Sequence, residues 1–235
     1  MAADKPTLVL IHGLFVDPAM WQPQVRHLAP YADVMTPEVL EQETVEQAAR
    51  DVLASVDGPI AVAGFSMGGY VLFEMLRQAP ERISRIALID TSARADTPEK
   101  SEERLRVIEL VKSGKYGQFV RNAVPNAIHP SRAGDDALIS TLEVMADRIG
   151  PEAFCRQQRI IMGRPDRRGE LAGIACPTLV ICGRQDMVTP LELSEEMVAG
   201  IPGARLVVIE ECNHYSSMER PWAVSALLQQ WLRYP

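Results

Sequence analysis

The sequence predicts an α/β fold, a mostly parallel sheet of about six strands interrupted once by a purely helical insertion. Three observations carry this. Short apolar runs alternate with amphipathic ones over residues 7–89 and again over 178–232, the order that a parallel sheet with helices on both faces requires. Between them, residues 92–172 hold polar helical segments and no convincing strand. Finally, one apolar run, IAVAGFSMGGY at 60–70, breaks on a serine set between glycines, which marks a special turn at a strand end.

The elements follow in order. Residues 7–11 read as a strand and 17–28 as a helix with Pro18 near its start, where a missing N–H costs nothing. Residues 32–35 form a weak strand. A helix at 44–56 repeats Val45, Ala48, Ala49, Val52 and Leu53 at helical spacing. Residues 60–65 are apolar throughout, as in a strand buried on both faces, and lead to a helix at 71–76 and a strand at 86–89. The insertion is expected to hold helices at 98–112, 116–122, 135–148 and 151–162. Strands resume at 178–182 and 205–209, with helices near 191–198 and 222–232. The chain therefore divides into a core, 1–91 and 173–235, and a helical cap, 92–172.

The bulk numbers exclude several classes. In 235 residues, 47% hydrophobic and 23% charged content is ordinary for a soluble globular protein. A net charge of −7 argues against a nucleic-acid partner, which needs a basic face. No apolar run approaches the roughly 20 residues that span a bilayer, so no membrane partner is expected. The opening MAADKPTLVLIHG shows no charged segment, apolar stretch and cleavage site, so the expectation is a cytoplasmic protein. Cys155, Cys176, Cys182 and Cys212 form no C-x-x-C pair and read as reduced core residues beside strands. With no ligand cluster and no phosphate-cradling glycine loop, neither a metal nor an organic cofactor is implied. Monomer and homodimer fit this composition equally. The insertion carries 14 basic and 12 acidic residues, hence +2, against −9 for the remainder with 10 and 19. That asymmetry fits a cap lining an anionic or polar substrate entrance, and a solvated helical face as well.

The chemistry centres on Ser66. A serine on a sharp strand-to-helix turn is forced into a strained conformation, and Gly64, Gly68 and Gly69 remove the side chains that would collide there. This G-x-S-x-G context is that of an exposed nucleophile. A serine hydroxyl needs a base. Of His12, His27, His129 and His214, only His214 follows the last strand, on the sheet edge that Ser66 also occupies; His12 is expected to brace a loop. Asp186, after the next-to-last strand, and Asp90, after the strand before it, compete for the acid that orients the imidazole. The oxyanion donors are expected to be the backbone N–H of Met67 and that of Leu14, whose loop turns at Gly13. Phe15, Phe65, Met67, Phe119, Val120, Ile128 and Tyr215 are candidate pocket residues. Trp21 reads as core, and Arg94 as a solvated side chain or a contact for a substrate carboxylate.

HG at 12–13, GFSMGG at 64–69, GRQDMVTP at 183–190 and CNHYSSMERP at 212–221 together resemble the α/β-hydrolase family. The nearer likeness is to its small capped bacterial members: carrier-protein methyl ester esterases, cofactor-free C–C bond hydrolases and perhydrolases. The resemblance covers the sheet-forming chain; the insertion matches the family's cap in placement more than in motif. It implies Ser66 as nucleophile, His214 as base, Asp186 rather than Asp90 as acid by the family's chain order, and Leu14 and Met67 as oxyanion donors. With six residues before Thr7, the family's usual N-terminal hairpin is not expected here, and TPEVLEQETVEQ replaces the usual glycine-rich loop after the second strand. Asn213 stands where many relatives have Gly, and Tyr215 adds bulk beside the base. The implied activity is hydrolysis of a small carboxylic ester through an acyl-enzyme. Thioester or diketone C–C cleavage, peroxyacid formation and a hydroxynitrile-lyase reaction use the same groups, and a non-catalytic ligand-binding role remains the alternative of another class.

Overall fold

The computed structural model describes residues 5–233; residues 1–4 and 234–235, assigned above to the core, lie outside the described residues. One six-stranded sheet runs β2-β1-β3-β4-β5-β6, with every neighbouring pair parallel. Its strands are β1 (Thr7–Ile11), β2 (Asp33–Met35), β3 (Ile60–Phe65), β4 (Ile83–Ile89), β5 (Thr178–Gly183) and β6 (Arg205–Ile209). All six residues of β3 and of β5 are buried, as continuous apolar runs in a covered parallel sheet should be.

Alternation along the strands divides the core into two layers. Leu8, Leu10, Ala61, Ala63, Phe65, Ala87 and Ile89 face one side, where they meet Trp21, α1 (Gln22–Leu28), α9 (Pro221–Arg233) and the cap. Val9, Ile11, Ile60, Val62, Ile86 and Leu88 face the other, under α2 (Val45–Ala54), α3 (Met67–Gln78) and α7 (Leu191–Gly200). Trp21 is fully buried and meets Phe65 edge-on, with ring centroids 6.5 Å apart. Thr44 caps α2 by accepting the Gln47 N–H at 3.2 Å, a contact that typically contributes about 1 kcal/mol.

Several boundaries differ from the sequence reading. The helix expected over 17–28 is split: Asp17 caps a short 3-10 turn, Pro18–Trp21, and α1 begins after it, because Pro23 fits only the first turn of a new helix. α3 starts at Met67, directly on the serine, rather than at 71. β4 begins three residues earlier than 86.

The insertion contains no strand among the described residues. Its helices are α4 (Pro98–Leu110), α5 (Tyr116–Asn126) and α6 (Asp136–Gly163). Gly114, at φ 85°, makes the bend between α4 and α5. Gly150, at φ 73° and ψ 170°, breaks α6 just before Pro151, so the two segments expected on either side of 150 are the two halves of a bent run. Cys182 and Cys212 are buried beside the sheet, whereas Cys155 packs within the cap instead. No helix is long and apolar enough to cross a membrane among the described residues.

Candidate active site

The turn after β3 is built by contact, residue by residue. Ser66 sits at φ 50° and ψ −114°, a region that non-glycine residues rarely occupy. Its N–H donates to Ile89 O at 2.9 Å and its carbonyl accepts the Thr91 hydroxyl at 2.7 Å, so the neighbouring strand holds the strained residue in place. A Cβ on Gly64 would lie 2.4 Å from Gly68 O, and one on Gly68 would lie 2.3 Å from Ile11 O. Any larger residue would push the helix off the strand. A Cβ on Gly69 would lie 2.3 Å from the Thr91 hydroxyl, and one on Gly13 would lie 2.7 Å from the Phe65 ring.

Three side chains from three loops join at this edge. Ser66 Oγ lies 3.1 Å from His214 Nε2, and His214 Nδ1 lies 2.9 Å from Asp186 Oδ2. All three are at least 90% buried. Asp186 also accepts the N–H groups of Val188 and Thr189, each at 2.8 Å, and the Thr189 hydroxyl at 2.7 Å. Burial works against its charge, but His214 and these donors outweigh it and hold the carboxyl below its usual range. Burial likewise opposes a charged His214, and the adjoining carboxylate of Asp186 overcomes it, raising the imidazole above its ordinary value. With Nδ1–H turned to Asp186, Nε2 faces the hydroxyl as an acceptor. The arrangement can take a proton from Ser66 and stabilise the imidazolium that results.

Asp90 lies close by but does not touch the imidazole. Its oxygens accept the Gly183 N–H at 2.9 Å, the Ser216 N–H at 3.2 Å and the Ser216 hydroxyl at 2.5 Å. Burial and then the like charge of Asp186 push its carboxyl well above the usual range. Asp90, Cys182 and Asp186 each bring one ligand atom within 4.8 Å of the others. The carboxylates are already occupied by donors, and burial pushes the Cys182 thiol up, so the group suits a hydrogen-bonded core better than a metal.

His12 bridges two loops: Nδ1 meets Gly13 O at 2.9 Å and Nε2 accepts the Val39 N–H at 2.9 Å, with burial lowering its pKa. The next loop residues carry the backbone toward Ser66. Among the described residues, neither the Leu14 nor the Met67 N–H has a protein acceptor, while the Phe15 N–H donates to Gln157 Oε1 at 3.1 Å. His27 meets Gln229 and His129 meets Ser131, and neither ring is hydrogen-bonded to Ser66 or Asp186 among the described residues.

A cavity of about 330 Å³ opens between the edge and the cap, lined near the serine by Leu14, Phe15, Phe65, His214 and Tyr215. Phe119, Val120, Ile128 and Met67 do not line it, contrary to the sequence expectation. Phe119 packs on Phe154 at 5.3 Å and on Phe15 at 6.5 Å, Val120 and Ile128 are buried within the cap-side core, and Met67 turns beneath the sheet. Ala123 and Ala127 form the α5 wall instead. Arg94 reaches the cavity but is paired with Glu196 at 2.8 Å. The sequence reading missed Gln157 and Thr189. For Thr189 a signal existed, a hydroxyl three residues after an aspartate in a turn; for Gln157 nothing local distinguishes it from its helix neighbours.

Residues 8–226 match the model of the alpha/beta hydrolase family. The chain is 24% identical to the pimeloyl-[acyl-carrier protein] methyl ester esterase of Nitrosomonas europaea, over 92% of this chain and 91% of that one. Its structure is similar to that of a thermophilic esterase from Thermogutta terrifontis in malate-bound form, with TM-score 0.92, 31% identity, and 98% and 90% of the two chains covered. It is also similar to the enol-lactonase from Burkholderia xenovorans LB400, with TM-score 0.88, 25% identity, and 99% and 93% covered.

Proposed function

Since the chain belongs to the alpha/beta hydrolase family, we propose that it hydrolyses a small carboxylic ester through an acyl-enzyme on Ser66. The observation that carries this reading is the continuous hydrogen-bonded chain from Ser66 Oγ through His214 to Asp186. In the proposed reaction, Ser66 Oγ attacks the ester carbonyl as His214 Nε2 takes its proton. Asp186 holds the ring in the required tautomer and stabilises its positive charge. The carbonyl oxygen, now anionic, is received by the N–H groups of Leu14 and Met67; Met67 opens α3, whose dipole favours negative charge there. His214 returns the proton to the departing alcohol. A water then surrenders a proton to His214 as it attacks the acyl-enzyme, and the acid leaves as His214 returns that proton to Ser66 Oγ. The esterase names of the relatives support ester cleavage over the thioester and C–C alternatives.

Intact mass after incubation with a fluorophosphonate tests the reading. One adduct on the wild type and none on Ser66→Ala is the expected result. A folded wild type that takes no adduct would count against an activated serine and return weight to a ligand-binding role.

A further inference from the structure

The cavity has a second set of lining residues that ester hydrolysis by itself does not need. Four cations line it, Arg94, Lys100, Arg104 and Arg164, against a single carboxylate, Asp96, in a chain whose net charge is −7. Arg94 and Arg164 come from outside α4 and are ion-paired. Arg94 holds Glu196 through Nε at 2.8 Å and Nη2 at 3.0 Å. Arg164 donates to Arg94 O at 2.8 Å, to Ile161 O at 2.7 Å and pairs with Asp96 Oδ1 at 2.7 Å, while its guanidinium lies 4.2 Å over the Tyr70 ring.

The other two are different. Thr97, Lys100 and Arg104 are spaced i, i+3 and i+7 at the start of α4, so they share the face that looks into the cavity, and Ile108 continues that stripe into the core. Arg104 is anchored by Asp96 Oδ2 at 2.6 Å and Gln158 Oε1 at 2.8 Å, which engages Nε and Nη1 and leaves Nη2 without an acceptor among the described residues. Its side chain is only 24% exposed. The Lys100 ammonium has no ion pair among the described residues, and Lys100 is an exposed member of the lining. An inward helix face would ordinarily be apolar. Here it presents one anchored guanidinium and one ammonium without an ion pair, both on the cavity that Ser66 and His214 also line. Asp96 fixes Arg104 without neutralising the wall as a whole.

We infer that Lys100 and Arg104 form an anion subsite, and that the substrates are small esters bearing a second, free carboxylate, such as half-esters of short dicarboxylic acids. This rests on the esterase reading above and specifies its substrate class. A carboxylate placed at Arg104 gains charge-assisted hydrogen bonds, and a cleft with low-dielectric walls concentrates the field of the two cations.

The test compares monomethyl glutarate with its neutral isostere, the monoamide of the same methyl ester, and reads the ratio of kcat/KM for the two. The wild type should favour the anionic ester by about 10-fold or more, in line with a partly exposed charged hydrogen bond. Lys100→Gln and Arg104→Gln should each bring the ratio toward one, and added salt should do so in the wild type. Because Arg104 also holds Asp96, the exposed Lys100→Gln variant keeps the test valid if Arg104→Gln fails to fold. A wild-type ratio near one, or a ratio that neither variant lowers, would overturn the subsite while leaving the esterase reading intact. If neither ester is cleaved, that reading fails, and calorimetric titration with glutarate against glutaramate decides the subsite. Glutarate binding that weakens in Lys100→Gln sustains it, and no binding removes it.

Discussion

The sheet edge and the cap wall the same cavity by opposite means. At the edge, short local turns shape two of the three functional groups. Ser66 is held by the glycines two residues either side and by the end of β3, and Asp186 by a turn it makes with Val188 and Thr189. The cap's wall is set by partners far along the chain. Gln157 reaches Phe15 across 142 positions, Arg164 reaches Arg94 across 70, and Ala127 O receives the His214 N–H at 3.1 Å. Local determination produces motifs that recur; long-range determination produces surfaces particular to one chain. The proposed chemistry lies in the first region and the proposed substrate choice in the second.

The largest effect should come from within the edge, where two buried aspartates sit side by side. Asp186→Asn removes the carboxylate that fixes the imidazole and should lower kcat by about 10⁴-fold. Asp90→Asn keeps an acceptor for Gly183 or for Ser216 but not for both, yet should stay within roughly tenfold in rate, since Asp90 makes no hydrogen bond to the imidazole. Steady-state kinetics on both variants decides the matter, and the opposite ranking would exchange their roles.

A smaller effect follows from pH. Free His214 must be neutral to accept the serine proton, and Asp186 raises its pKa in spite of burial. The rate should therefore fall on acidification, with a midpoint in kcat/KM above the ordinary imidazole value and about tenfold loss per pH unit below it. In Asp186→Asn the midpoint should move down. A wild-type midpoint at or below the ordinary value would contradict the ion pair.

The smallest effect probes the seam between the regions. Gln157 is fully buried, accepts the Phe15 N–H at 3.1 Å and donates to Val39 O at 3.0 Å. Phe15 itself is held at φ 42°, one residue after the proposed oxyanion donor Leu14. Gln157→Leu would orphan both backbone groups at about 1–3 kcal/mol each and release the loop. A lower thermal midpoint with a several-fold loss in kcat and little change in KM is expected. Lost stability with unchanged kcat would show that the cap covers the loop without positioning it.

Much of this molecule was legible without coordinates. The two faces of the sheet follow from alternation along continuous apolar strands, and the bend at Gly150 from a glycine–proline pair. His214 could be chosen over His12, His27 and His129 because only it follows the last strand. Pocket residues were the weak point. Phe119 and Val120 sit on the same helix as Ala123, and apolar character alone does not say which of them faces a cavity and which faces Phe154 or the core.

By itself the sequence determined the parallel sheet, the site of the insertion and the meeting of Ser66 and His214 at one edge. Each of these depends on periodicity or on a local turn, and both are written in adjacent residues. The family's chain order already implied Asp186 over Asp90, but their side-chain contacts came only from the tertiary structure: Asp186 meets the imidazole while Asp90 receives Gly183 and Ser216. Only that structure set Lys100 and Arg104 on the cavity wall and joined Gln157 to Phe15. Contacts of that kind depend on how the cap docks on the sheet, a long-range packing that no short stretch of chain encodes.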